Sequence, residues 1–275
     1  MAILPWNGRP RFGHRDNGGM QQSDPSAVAD ALLHARRSQR PADALALAAH
    51  ISGPQDAYAV QALVARAMPN ADPGFPRFWK SGGPSRTAEA THAPLPPAGV
   101  WTSPAAAGAW PFTLRLIETE IALRLGRDVT AATASMLTHE AAAALVDAMT
   151  VSIEIVDSRW QQGVRAPALL KLADLQSHGA LVLGDWVAFA PRGWAAQVCT
   201  VRIGGQPEAA FRGTHSMGDP AWVLPAWLLH ATRDGATVPA GTMVTTGTWC
   251  GILPAAAGDL VVARFEGVGE ASVQL

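Results

Sequence analysis

Leu116-Ile117-Glu118-Thr119-Glu120-Ile121 and Val151-Ser152-Ile153-Glu154-Ile155-Val156 are two runs of β-branched and aliphatic residues interrupted by glutamates. Such runs read as β-strands, because branched side chains pack well on a pleated surface. Side chains alternate faces along a strand, so Glu118 and Glu120 point the same way. With Glu154 on a neighbouring strand, three carboxylates crowd one another, and two readings follow. Arg124 shares the Glu118 face, so the glutamates can belong to a solvated, salt-bridged sheet surface. Alternatively, they surround a cation. The same face also carries Leu114, Leu116 and Ala122, and the Glu154 face carries Val156. Neither strand therefore alternates as a solvent-facing strand would. Carboxylates on partly apolar faces need a compensating partner. A set of oxygen ligands favours Mg²⁺, Mn²⁺ or Ca²⁺ over zinc or copper.

Around these strands the chain reads as a mixture of helices and short strands. The first strand extends over Thr113–Leu125 and stops at Gly126-Arg127-Asp128, and Thr138 caps an Ala-rich helix predicted to run to about Met149. The second half alternates strand-like segments with glycine turns, interrupted by one helix that Asp219-Pro220 opens. Toward the N-terminus, Asp24 is an N-cap with Pro25 at the first helical position, and a second helix over Gln55–Met68 places Ala57, Val60, Leu63 and Val64 at helical spacing. Residues 69–112 are rich in proline and glycine and are expected to be mostly loop, with the apolar-basic segment Phe75–Ser81 standing out. The fold class expected is α+β, a mixed rolled β-sheet core with an N-terminal helical section. The divisions are an irregular arm over 1–22, a helical section with an active-site loop over 23–110, and a β-roll over 111–275. There is no βαβ alternation and no Gly-x-Gly-x-x-Gly, which excludes a dinucleotide-binding Rossmann reading.

Composition narrows the function classes. With 275 residues, 48% of them hydrophobic, the chain can bury a sizeable core. A formal net charge of −1 leaves no footprint for nucleic acid or an acidic membrane. Cys199 and Cys250 are the two cysteines, both in apolar contexts, as in a reducing cytoplasmic setting. Met1-Ala2-Ile3-Leu4-Pro5-Trp6 is too short for a signal sequence, and no apolar run reaches the roughly 18 residues of a membrane span. Ten tryptophans without basic interleaving read as core or subunit interface, and a homo-oligomer is expected. His215 reads as a satisfied structural histidine, since no Gly-x-Ser-x-Gly elbow accompanies it.

Several segments, in order, carry a resemblance. They are Asp56-Ala57-Tyr58-Ala59-Val60-Gln61, Trp79-Lys80-Ser81-Gly82, Ile117-Glu118-Thr119-Glu120-Ile121-Ala122 and Ile153-Glu154-Ile155-Val156-Asp157-Ser158-Arg159. Ala173-Asp174, Ser177 through Gly184, and Thr246-Gly247-Thr248 to Gly258-Asp259 complete the set. Over residues 25–275 this pattern resembles the fumarylacetoacetate hydrolase superfamily, in its 2-keto-4-pentenoate hydratase and 4-oxalocrotonate decarboxylase branch. The resemblance implies Glu118, Glu120 and Glu154 as ligands of Mg²⁺ or Mn²⁺, with Ca²⁺ as a substitute. It implies catalytic roles for Lys80, Asp174 and Ser177, and substrate-binding roles for Ser85, His178 and Thr248. The Lys80 ammonium would donate to substrate or relay protons, the latter favoured if burial lowers its pKa. The activity implied is that of a lyase hydrating a 2-hydroxydienoate or 2-oxoalkenoate. The alternatives are decarboxylation or C–C hydrolysis of a 2-oxo acid, or a non-catalytic relative that kept ligand binding. Three departures from the family pattern bear on this. Ser81-Gly82-Gly83-Pro84-Ser85 replaces Ile-Gly-Leu-Thr/Ser, no acidic residue occurs over Thr91–Pro104, and Leu175 stands where the family has Asn.

Overall fold

The structure is a computed structural model that describes residues 23–68 and 74–275, so the arm read over 1–22 lies outside the described residues. Helix α1 (Pro25–Ser38) begins as its sequence predicts, with the Asp24 carboxylate accepting from the Ser26 and Ala27 N–H groups. Helix α2 (Pro54–Ala67) buries Ala57, Val60 and Val64 against Val28 and Leu32 of α1 and against Trp160. Strands β1 (Phe78–Gly82), β2 (Thr91–Pro94), β3 (Val100–Thr102), β4 (Leu116–Leu125) and β5 (Val146–Val156) follow. Helix α3 (Ala168–Ala173), β6 (His178–Leu183), β7 (Val198–Ile203) and β8 (Ala209–Arg212) come next. Helix α4 (Leu224–Ala231), β9 (Met243–Thr245), β10 (Leu260–Phe265) and β11 (Gly269–Gln274) complete the main elements.

These strands form two sheets. The larger is mixed and curled, in the order β2-β1-β9-β4-β5-β6-β3, with β1–β9 and β3–β6 parallel and the other pairs antiparallel. The smaller runs β8-β7-β10-β11. Alternation along β4 sends Ile117, Ile121 and Leu123 into a core shared with Val201, Val261 and Phe265 of the second sheet. Glu118 and Glu120 consequently face the inside of the curl. The β4–β5 register sets Glu118 directly opposite Glu154 and Glu120 opposite Ser152. Among the described residues no helix is long and apolar enough to cross a membrane.

Two local expectations are corrected. The Ala-rich helix capped by Thr138 ends at Ala143 rather than near Met149, because from Val146 onward the chain pairs with β4. Long-range pairing outweighs the helix propensity of four consecutive alanines. Residues 78–102, expected to be mostly loop, supply three short strands to the large sheet. Prolines flank them, at Pro76, Pro84, Pro94, Pro96 and Pro97, and each has a pairing partner that lies far away in sequence or close behind a turn.

A pair of histidines gives the fold a pH dependence. His92 on β2 is buried, its Nδ1 is 2.9 Å from Ser81 Oγ, and its ring lies 4.7 Å from that of His230 on α4. Burial, then the neighbouring His230 and the Arg233 guanidinium, push His92 down to about 3. Burial and Arg233 push His230 down to about 4. An unfolded chain binds these protons first, from the ordinary value of 6.5 downward. The contribution to stability is thus complete above about 6.5 and is lost as pH falls toward about 4 and then 3. Urea midpoints should drop between pH 7 and pH 5, and His230→Leu should flatten that slope. An unchanged slope in the variant would remove the pair from the account.

Candidate metal centre and active-site cleft

Glu118, Glu120 and Glu154 bring one carboxylate oxygen each to within 4.8 Å of one another. Glu120 Oε2 accepts from the Gly247 N–H at 2.9 Å and from the Thr245 hydroxyl, which is itself 3.0 Å from Ser152 Oγ. Gly247 reaches this position at φ +110, a left-handed backbone that suits glycine. Glu154 is fully buried, and its Oε1 accepts from Lys80 Nζ at 2.6 Å and lies 3.2 Å from His178 Nδ1. Its Oε2 is buried with no hydrogen-bond partner among the described residues. Arg124, which the salt-bridged-surface reading required, instead holds Asp147 through two bonds of 3.0 and 2.9 Å. Lys80 is the cation that faces the glutamates.

The electrostatics call for a further positive charge. Burial, and then Glu154, push the Glu118 carboxyl up to about 8, and burial followed by Glu154 also raises Glu120. Burial opposes ionisation of Glu154 too, but Lys80 and His178 outweigh it and hold this carboxyl below its ordinary range. Three carboxylates and one ammonium sum to −2, which a divalent cation neutralises. A hard all-oxygen donor set, an orphaned buried oxygen on Glu154 and two carboxyls pushed toward protonation all fit such an ion. The sequence reading let burial lower the Lys80 pKa, and that is corrected. Burial does act that way, but Glu154, Glu118 and Glu120 overcome it and raise Lys80 above its ordinary value. Lys80 is held as an ammonium, 3.2 Å from the Gln176 carbonyl as well.

The triad opens into a cleft of about 770 Å³. Lys80, Glu118, Glu120, Gln176, Ser177 and Thr248 supply its polar wall, while Val156, Leu169, Leu172 and Ile252 make the opposite part apolar. Ser177 Oγ is buried there without a partner among the described residues. Thr248 lines the cleft but its hydroxyl already donates to the Gly251 carbonyl at 2.9 Å and accepts from the Cys250 N–H at 3.3 Å. Ser85, expected to bind substrate, lies outside the lining and pairs with Thr87 at 3.1 Å. His178 stands behind Glu154, on the wall of a separate apolar cavity of about 430 Å³, so the structure places it as a support for Glu154 rather than in the cleft. His215 bonds the Thr246 carbonyl at 2.8 Å.

Asp174, expected to act catalytically, is sealed from the cleft. It is fully buried, takes Arg159 Nε at 2.7 and 3.0 Å and the Arg159 N–H at 2.9 Å, and is bridged by Arg36 at 3.1 Å. What it does is anchor a strained turn. Leu175, Gln176 and Ser177 have φ values of 50, 56 and 60 in succession, a conformation costing roughly 1–3 kcal/mol for each non-glycine residue. The Ser177 N–H closes back onto the Asp174 carbonyl at 2.9 Å, and the Ser177 carbonyl accepts from Asp157 at 2.9 Å. The turn delivers the Gln176 carbonyl to Lys80 and its side chain to the cleft. Gln176, Thr245 and Gly247 were missed by sequence reasoning. For Gly247 the flanking threonines were a usable signal, whereas a glutamine carries no mark of a left-handed φ.

The fumarylacetoacetate (FAA) hydrolase C-terminal family profile matches residues 59–275. Over 162 residues the chain is 31% identical to 2-hydroxyhexa-2,4-dienoate hydratase of Comamonas testosteroni, an alignment spanning 57% of this chain and 58% of that enzyme. The fold is that of 4-oxalocrotonate decarboxylase from Pseudomonas putida G7, complexed with magnesium and adipate. The two superpose with a TM-score of 0.78 at 18% identity, covering 91% of this chain and 96% of that one. 2-Hydroxyhepta-2,4-diene-1,7-dioate isomerase from Mycobacterium marinum superposes with a TM-score of 0.55 at 17% identity, over 72% and 73% of the two chains. The chain belongs to the fumarylacetoacetate hydrolase family.

If Asp174 is an anchor, Asp174→Ala strands the buried Arg159 guanidinium and leaves the half-buried Arg36 unpaired, and should lower unfolding stability by about 3–5 kcal/mol. Urea denaturation checks this. A stable Asp174→Ala protein that has merely lost activity would return Asp174 to the chemistry.

Proposed function

We propose that this chain is a divalent-metal-dependent lyase that adds water to a 2-hydroxydienoate or 2-oxoalkenoate. The observation that carries the reading is the carboxylate triad beside the Lys80 ammonium at the base of a largely apolar cleft. Glu118, Glu120 and Glu154 would hold Mg²⁺ or Mn²⁺, which supplies Lewis-acid polarisation to the carboxylate and 2-oxo oxygens of the substrate. Family membership and the partial similarity to a dienoate hydratase support the same substrate class.

The residues of the chain have the following parts. In the net reaction the enol proton of the 2-hydroxydienoate moves to C5, giving an unsaturated 2-oxo acid. Water then adds its oxygen at C4 and a proton reaches C3. Lys80, a fixed ammonium, donates a hydrogen bond to the oxygen on which negative charge develops during proton transfer. Ser177, with its unpartnered hydroxyl, bonds the substrate carboxylate. Val156, Leu169 and Leu172 take the hydrocarbon tail and exclude bulk water from it. A second reading, decarboxylation of a 2-oxo acid, is favoured by one observation. Among the described residues, the cleft lining contains no carboxylate beyond Glu118 and Glu120 to activate a water molecule.

A panel of 2-oxo acids and 2-hydroxydienoates with Mg²⁺ or Mn²⁺ separates these readings. Loss of diene absorbance without CO₂ release from 2-hydroxypenta-2,4-dienoate is the expected result, and CO₂ release from a 2-oxo diacid alone selects decarboxylation. Lys80→Ala should lower kcat by ~10²-fold or more, with Mn²⁺ affinity little changed. Full activity in that variant would reduce Lys80 to a counter-ion. We also propose self-association, since Met136 is 84% and Leu229 is 55% exposed. Light scattering at micromolar concentration should exceed the 28.8 kDa of one chain, and a particle of that mass would refute it.

A further inference from the structure

Hydration needs a group that holds the water molecule over the substrate, and among the described residues the cleft offers no carboxylate beyond the metal-binding glutamates for this. Gln176 has the required properties. It lines the cleft with Lys80 and Glu118, one head of its amide bonds Thr91 Oγ1 on β2, and the other head is buried with no partner among the described residues. Whichever way the amide is turned, one of its two heads remains unsatisfied, so the observation does not depend on assigning oxygen and nitrogen. An unpaired buried amide head is costly, and sites that tolerate one are commonly completed by a ligand or an ordered water.

The backbone indicates the same function. Three consecutive left-handed residues, Leu175, Gln176 and Ser177, form no ordinary turn, and they are clamped from behind by Asp174 and Arg159. Their effect is to aim the Gln176 peptide oxygen at Lys80 Nζ, 3.2 Å away, while the Gln176 side chain spans to Thr91 across the same wall. The residue is thus held by its backbone oxygen and by one head of its amide, beside the ammonium. Strain of this kind is concentrated where geometry serves function.

We propose that Gln176 is the positioning residue for the adding water, its free amide head hydrogen-bonding that molecule next to Lys80. This rests on the hydratase reading above. Gln176 transfers no proton in this account; it orients the water, and misplacement by about 1 Å is enough to cost on the order of 10²-fold in rate.

The test uses the full chain loaded with Mg²⁺ and compares two reactions. Hydration of 2-hydroxypenta-2,4-dienoate needs the positioned water. Deuterium incorporation at C3 of 2-oxopentanoate, followed by proton NMR, needs only the chelate and proton transfer. Gln176→Leu should lower kcat for hydration by about 50-fold or more, leaving KM and deuterium exchange within about threefold. Gln176→Glu, which keeps an acceptor at the same reach, should restore hydration to within about tenfold of the parent. Thr91→Val, which releases the amide without touching the strained turn, should show the same split in smaller measure. Hydration within threefold of the parent in Gln176→Leu makes Gln176 a wall residue and overturns the proposal. Parallel loss of hydration and exchange assigns it a structural role and overturns it equally. If Gln176→Leu fails to fold, an unaffected Thr91→Val overturns it. A parent protein that exchanges deuterium but does not hydrate the diene refutes the hydratase reading itself, and the water role with it.

Discussion

Mutual repulsion among three carboxylates is the constraint on which the rest of this structure depends. Antiparallel pairing puts Glu118 opposite Glu154, with Glu120 one step along the same face, inside a curled sheet that buries Glu120 and Glu154 and so weakens the screening of their charge by water. Each of the surrounding contacts answers that charge. Thr245 and the Gly247 N–H receive Glu120, while Lys80 and His178 receive Glu154. Glu118 is left to the cleft, with its carboxyl pushed up to about 8. The gradient from Glu154, paired through Oε1 with Lys80 and His178, to Glu118, which faces the cleft, gives the site a closed side and an open side.

The same charge decides what Lys80 is. A buried lysine without partners loses its proton and can serve as a base. Here the carboxylates reverse that tendency, and the group presented to the cleft is a fixed cation. In the proposed reaction, proton transfer at carbon would be assisted by a hydrogen-bond donor, and the position of water would be left to neutral groups on the 175–177 turn. Asp174 belongs to this arrangement at one remove, because its bridges to Arg159 and Arg36 hold the turn in a conformation that Leu, Gln and Ser do not adopt on their own.

The legibility of the site followed the range of the interactions involved. The glutamates were readable because period-2 alternation is local, and Lys80 because the segment Trp79-Lys80-Ser81-Gly82 carries the family resemblance. The three strands within 78–102 were hidden, since each is short, proline-flanked and stabilised by partners as distant as Met243. Asp174 resembled a cleft residue in sequence, and only the approach of Arg36, 138 residues away, reveals it as an anchor. The premature end of the helix after Thr138 has the same origin: alanine propensity is local, and pairing of Met149 with Leu123 is not.

The central claim is that the triad holds one divalent cation, and equilibrium binding of Mn²⁺ followed by electron paramagnetic resonance tests it most directly. The account predicts one ion per chain, competition by Mg²⁺, tighter binding as pH rises toward about 8 because protons on Glu118 are displaced, and loss of the site in Glu118→Gln and Glu154→Gln variants that remain folded. A folded protein that binds no Mn²⁺ at millimolar concentration and pH 8, or variants that bind it as well as the parent, would contradict it.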